Sequence, residues 1–327
     1  MAGDPLSRPE DWTRYLRNYT VTSFGRMFPD NYDGAIREFW EQLLTTEIPD
    51  QLVDICCGNG ALCWIADEIL NQDDLRTQII GVDFADIDPF GVLRRDPADY
   101  PGVRFIGNTL AEGLPFADCS IDIAISQYGI EYTDLGRSIP ELVRVLKAGG
   151  RMAFIMHDAD SEVVNLSTRH LKDMQTVLDL DIHGYVLKLF DMGLQLRTPE
   201  QRQASDEYRE LIGRLNDLTN QVRGIVQGYE KKTPIHKYMN RLMGVFGDPA
   251  SASNPESRNL IIAAEANLSS HVTKIEHLSD ASLSANASND LVSLIESSGC
   301  TVTMREPFEY APGVPIGTAL VAVRKRD

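Results

Sequence analysis

A chain of 327 residues with 43% hydrophobic content is long enough for one large domain with an insertion, or for two domains, and supplies a sizeable core. Its formal net charge of -17 opposes the counterion-release attraction behind nonspecific nucleic-acid binding, and no uncharged apolar run reaches the length of a membrane span. Five irregularly spaced cysteines argue against a disulfide framework, and the opening MAGDPLSRPEDWTRYLRNYT has no signal-peptide core, so the expected location is cytoplasmic.

Residues 1–49 read as an N-terminal segment with helices over 12–19 and 32–44. The runs QLVDICC, TQIIGVDF, VRFIGN, IDIAISQYG and RMAFIMHD then read as buried strands, with helix-like segments such as 61–71 and 138–147 between them. Strand and helix alternate as right-handed crossovers require, which makes 50–158 a doubly wound α/β unit. Over 159–270 the pattern changes to long helical segments, read as an insertion or cap that topology would set over the site. Within it, apolar residues step by seven through Ala204, Leu211, Leu218 and Ile225, with Tyr208, Leu215, Val222 and Tyr229 between them. This seam is expected to pack against neighbouring helices of the insertion, and a homodimer through it is the alternative. Residues 271–327 complete the sheet with a helix over 288–298 and an antiparallel hairpin made by TVTMREPFEY and GTALVAVRKR, after a serine- and alanine-rich stretch over 278–288 read as a surface linker.

In an open parallel sheet the ligand sits outside the carboxyl ends of the strands, so the loop after the first strand is the first place to look. Gly58 and Gly60 in VDICCGNGAL allow close backbone approach there, although a glycine pair alone is equally a tight turn. Asp54 precedes that loop and Asp83 ends the second strand, where a carboxylate can accept both hydroxyls of a ribose. A phosphate-binding loop would need Lys and Ser or Thr where Ala61 and Leu62 stand, and a dinucleotide loop would want glycine near Cys63. The carboxylate of Asp54 would face a pyrophosphate unfavourably and an ammonium favourably, which points to a nucleoside carrying an amino-acid group. Cys56 and Cys57 are adjacent, point to opposite faces and have no histidine nearby, so no metal site is expected.

With AEGLPFADCSIDIAISQYGIEY and LVRVLKAGGRMAFIMHD following in order, these motifs resemble the class I S-adenosylmethionine-dependent methyltransferases, closest to the ubiquinone/menaquinone methyltransferase-like group. The resemblance implies a Rossmann-like α/β fold, with a doubly wound, mostly parallel sheet of seven strands ending in an antiparallel hairpin, plus the large helical insertion. It implies that Asp54, Cys57, Gly58 and Gly60 surround the methionine part of S-adenosylmethionine, with Asp83 on the ribose and Phe84 against the adenine. The next contact falls on Leu110 and Ala111 in an ungapped alignment, or on Asn108 and Thr109 with a short gap. Ser126, Gln127 and Tyr128 would close the sulfonium side.

Methyl transfer asks the protein mainly for alignment and for a base where the acceptor carries a proton. The candidates at the ends of the fourth and fifth strands are Tyr128, Glu131 and Tyr132 on one side and His157 and Asp158 on the other. His157 is the first choice, oriented by Asp158 or Glu131, and a histidine satisfying local backbone groups is the alternative. The expected reaction is methylation of a small molecule on a hydroxyl or phenol oxygen. Two readings compete with it: RNA or protein methylation, opposed by the acidity and by Ser126-Gln127-Tyr128-Gly129 standing where nitrogen methyltransferases carry Asn-Pro-Pro-Tyr, and a noncatalytic partner that keeps the fold.

Overall fold

In a computed structural model of the chain, the residues described are 9–17, 21–22, 28, 30–71, 77–229, 233–247, 254 and 256–326. Two residues of the expected helix over 12–19, and most of the proline loop near residue 250, lie outside them. Two compact units result, one built from 1–165 and 277–327 and the other from 166–276.

The first unit is organised by a seven-stranded sheet of order β3-β2-β1-β4-β5-β7-β6. Its strands are β1 (Gln51–Ile55), β2 (Gln78–Val82), β3 (Val103–Ile106), β4 (Ile121–Gln127), β5 (Leu146–Met156), β6 (Cys300–Ala311) and β7 (Val314–Arg324). The first five run parallel, and β7 pairs antiparallel with both β5 and β6. Both faces of the parallel strands are covered, which is why they read as unbroken apolar runs. Alternate residues serve opposite cores. Leu52, Ile79, Ile123 and Ile155 pack on one face with Trp40 and Leu44 of α2 (Gly34–Thr46) and Trp64 and Ile65 of α3 (Ala61–Leu70). Val53, Ile80, Ala124 and Phe154 pack on the other with residues from two further helices, Leu135–Val145 and Ala285–Ser297.

The sheet grows outward in both directions from β1, to β2 on one side and β4 on the other, so the crevice at the carboxyl ends of β1 and β4 is its topological switch point. At the far edge β6 carries Arg305, Glu306, Pro307 and Glu309 and three register shifts against β7, which blunt it against further pairing. The stretch 278–288 is not a linker. A helix covers Ser257–Ala281 and the next begins at Ala285, where Ser284 caps it by accepting from the Ala287 amide. The low apolar content that suggested a loop is that of a helix end followed by a serine cap.

The second unit is all helical, with Val186, Phe190, Leu242 and Ile261 in its core. The seven-residue seam lies on the helix Asp206–Ile225, where Leu215, Leu218 and Val222 are buried and Tyr208, Leu211 and Ile225 pack against the same core. That face is therefore used inside the unit, as expected of it.

Candidate active site

After Ile55 the chain turns through three left-handed residues, Cys56, Gly58 and Gly60, with φ of 57°, 53° and 79°. A Cβ at Gly60 would lie 2.6 Å from the Phe105 ring, so glycine is needed there both for conformation and for space. The turn is held from β2: Cys57 donates its amide to the Val82 carbonyl at 3.1 Å, and the Gly58 amide donates to Asp83 Oδ2 at 2.9 Å. Asp83 Oδ1 accepts from the Ala85 amide, also at 2.9 Å. Each carboxylate oxygen keeps a further lone pair, enough to take hydroxyl donors from a ligand. Burial raises the Asp83 pKa in spite of these backbone donors.

Asp54 is 2% exposed, and the Cys63 thiol lies 3.4 Å from its Oδ2. Burial pushes its carboxyl up to about 8, the nearby Asp83 charge adds to the rise, and the thiol opposes it. Such a group holds its proton at neutral pH until a cation arrives. The thiols of Cys56, Cys57 and Cys63 are pushed up by burial too, which leaves them neutral small residues of the turn rather than nucleophiles.

These groups open on one cavity of about 340 Å³ at the switch point. Asp54, Cys57, Gly58, Asp83 and Phe84 line it, as do Thr109, Leu110 and Ala111, so the ungapped register after β3 contributes both of its residues. Asn108 does not line it, and neither do Gly60 or Ser126. The Ser126 hydroxyl donates to the Ile55 carbonyl at 2.7 Å and accepts from the Ile130 amide at 3.1 Å, which ties β4 to the loop after β1.

Gln127, Tyr128, Glu131 and Tyr132 wall the opposite side. Tyr128 sits at φ 55°, donates its hydroxyl to the Ile316 carbonyl at 3.2 Å and stacks on His157 with ring centres 4.3 Å apart. His157 is itself outside the cavity wall, and burial lowers its pKa to about 3, so it is a poor proton acceptor at neutral pH. Asp158 also points away and accepts from the Thr318 hydroxyl at 3.0 Å. Glu131 contributes a carboxyl to this wall. Its Oε1 accepts from the His157 amide at 2.7 Å, and burial raises its carboxyl to about 7. His157 and Glu131 are thus neighbours, and the His157 backbone amide holds the Glu131 carboxyl.

Distant segments close the cavity. Trp12, Tyr15 and Leu16 come from α1 (Pro9–Leu16), and His277, Asp280 and Ala281 from the end of the helix Ser257–Ala281. The Asn59 amide donates to the Leu16 carbonyl at 2.8 Å and so fastens α1 to the glycine loop. The Trp12 ring lies edge-on to Tyr132 at 5.5 Å and stacks on His277 at 6.5 Å. None of these residues carries a local signal, because their proximity depends on how separate helices return to one sheet edge.

Residues 23–183, which hold the acid-flanked glycine loop, Asp83 and the strands behind them, match the model of the ubiE/COQ5 methyltransferase family. This part of the chain is similar to that family. Curated proteins similar to this chain include a 2-phytyl-1,4-naphtoquinone methyltransferase of Trichormus variabilis, 33% identical over 32% of this chain and 46% of its own. A malonyl-[acyl-carrier protein] O-methyltransferase of Methylococcus capsulatus is 31% identical over 38% and 46%, and a demethylmenaquinone methyltransferase of Desulfitobacterium hafniense 29% identical over 42% and 51%. The chain spans about half the length of the curated relatives it matches.

Proposed function

We propose that the cavity binds S-adenosylmethionine and that the protein transfers its methyl group to a hydroxyl or phenol oxygen of a small, quinone-type ring compound. The observation that carries this reading is the buried Asp54 lining the same cavity as Gly58 and Asp83, its carboxyl pushed up by burial. A lone carboxyl in an apolar pocket is costly, and an ammonium group beside it would let it ionise. The donor set suits the cofactor: Asp54 for the amino group, the Gly58 backbone for close approach, Asp83 for the ribose and Phe84 for the adenine. The cofactor supplies an electrophilic methyl on a sulfonium.

The protein's part is to hold the acceptor and receive its proton. Glu131 is placed for that, because a carboxyl near 7 is partly ionised at neutral pH and basic enough to accept from a hydrogen-bonded hydroxyl. His157 fixes Glu131 by its amide, and Tyr128 stacks on the His157 ring. The relatives' names support a quinone-type acceptor, since two are quinone methyltransferases; on the acceptor atom they divide, one being an O-methyltransferase and one a C-methyltransferase. Calorimetric titration with S-adenosylhomocysteine, with NADH as competing ligand and Asp83→Ala as control, tests the reading. Saturable binding lost in the variant supports it, and preference for NADH, or absence of binding in folded protein, overturns it.

A further inference from the structure

Among the described residues, the cavity-lining side chains of Gln127 and Glu131 each bury a polar atom that meets no hydrogen-bond partner, Nε2 of Gln127 and Oε2 of Glu131. Both are fixed in kind as well as in place. The indole N–H of Trp40 donates to Gln127 Oε1 at 2.6 Å, and Trp40 is fully buried. An indole nitrogen can donate but not accept, so the amide cannot turn over and its remaining nitrogen is held as a donor. On the other residue the His157 amide donates to Glu131 Oε1 at 2.7 Å. A backbone N–H is likewise donor only, so Glu131 presents its second oxygen as an acceptor. Leaving buried polar groups without partners costs roughly 1–3 kcal/mol each, a cost that a ligand of the right polarity relieves.

We infer that Gln127 and Glu131 form a polar clamp for the acceptor's hydroxyl, Glu131 Oε2 taking its proton in a hydrogen bond and Gln127 Nε2 donating to its oxygen lone pair. This rests on reading the cavity as a methyl-transfer site. It moves Gln127 from the cofactor, where the family resemblance set it, to the acceptor. The clamp selects by hydrogen-bonding polarity: a free hydroxyl satisfies both atoms, whereas its methyl ether still accepts from Gln127 but leaves Glu131 unsatisfied. The methylated product is therefore held less tightly than the substrate at the same position.

The probes are 4-nitrophenol and its methyl ether, 4-nitroanisole, titrated into the intact protein saturated with S-adenosylhomocysteine and followed by calorimetry and by the nitrophenol absorbance band. The wild type is expected to bind the phenol about tenfold or more tightly than the ether. Gln127→Leu removes the donor and weakens the phenol by about tenfold, with S-adenosylhomocysteine affinity unchanged within about twofold. Glu131→Gln is the sharper variant. The His157 amide still claims one oxygen, so the new amide turns its nitrogen to the cavity, and the preference should fall away or reverse in favour of the ether. Equal binding of both probes to the wild type, failure of either to bind, or a Gln127→Leu protein that loses S-adenosylhomocysteine and keeps the phenol would overturn the clamp. Failure of the wild type to bind S-adenosylhomocysteine would instead remove the methyltransferase reading on which it rests.

Discussion

The amide of Gly58 donates to the Asp83 carboxylate at 2.9 Å, so the glycine loop after β1 and the acid that ends β2 hold each other in place. Replacing Asp83 by Asn supplies an amide that cannot accept from both Gly58 and Ala85 through two oxygens. We expect S-adenosylhomocysteine affinity to fall by about 30-fold or more, roughly 2 kcal/mol, with a smaller loss of thermal stability. Titration calorimetry beside a thermal melt separates the two effects, and unchanged affinity would argue that the ribose is bound elsewhere.

Gly60 and Gly113 give a contrast in one measurement. At Gly60, φ is 79° and a Cβ would meet Phe105 at 2.6 Å, whereas at Gly113 no atom of the described residues lies within 4 Å. Gly60→Ala should cost about 2–3 kcal/mol in denaturant unfolding, and Gly113→Ala should stay within about 0.5 kcal/mol of the wild type.

Asp54 makes cofactor binding depend on pH. Its folded value near 8 lies above the ordinary carboxyl value of 3.8, so at neutral pH the folded protein carries a proton that the unfolded chain has lost. The group therefore destabilises the apo fold at neutral pH, an effect that fades as pH falls below the unfolded value. An ammonium ligand binds the ionised form. Affinity for S-adenosylhomocysteine should rise as pH increases from about 6 to 8, by at most tenfold per unit, with proton release measurable in buffers of different ionisation enthalpy. Asp54→Asn should flatten this dependence, weaken binding and stabilise the apo protein by on the order of 1 kcal/mol.

Glu131 and His157 differ in what they predict for turnover. If Glu131 receives the proton, kcat/KM for an accepted phenol climbs with pH through about 7, and Glu131→Gln removes that limb with a loss of about 100-fold or more. With its pKa near 3, His157 contributes no limb near neutrality, so His157→Gln, which keeps the backbone amide on Glu131, should preserve the profile's shape. A profile that loses its limb in His157→Gln would return the base role to the histidine.

The strands, the hairpin and the glycine loop were legible because each has a local cause: period-two burial, apolar runs, and residues that tolerate a left-handed turn. Asp54 and Asp83 were legible because topology sends the ends of β1 and β2 to the same crevice. The positions of His157 and Glu131 relative to the cavity were not. Burial of the imidazole behind the wall is a tertiary property that its strand-end position does not encode. Trp12 and His277 were invisible for the same reason. The stretch 278–288 misled because a capped helix start and a linker share serine, alanine and asparagine.

Hydrogen exchange read by mass spectrometry, with and without S-adenosylhomocysteine, tests the central claim most directly. The site described here predicts slowed exchange in peptides spanning 54–60, 83–86, 109–112 and 127–132 and none confined to 166–276. Protection absent from the first two segments, or centred in the helical unit, would contradict it.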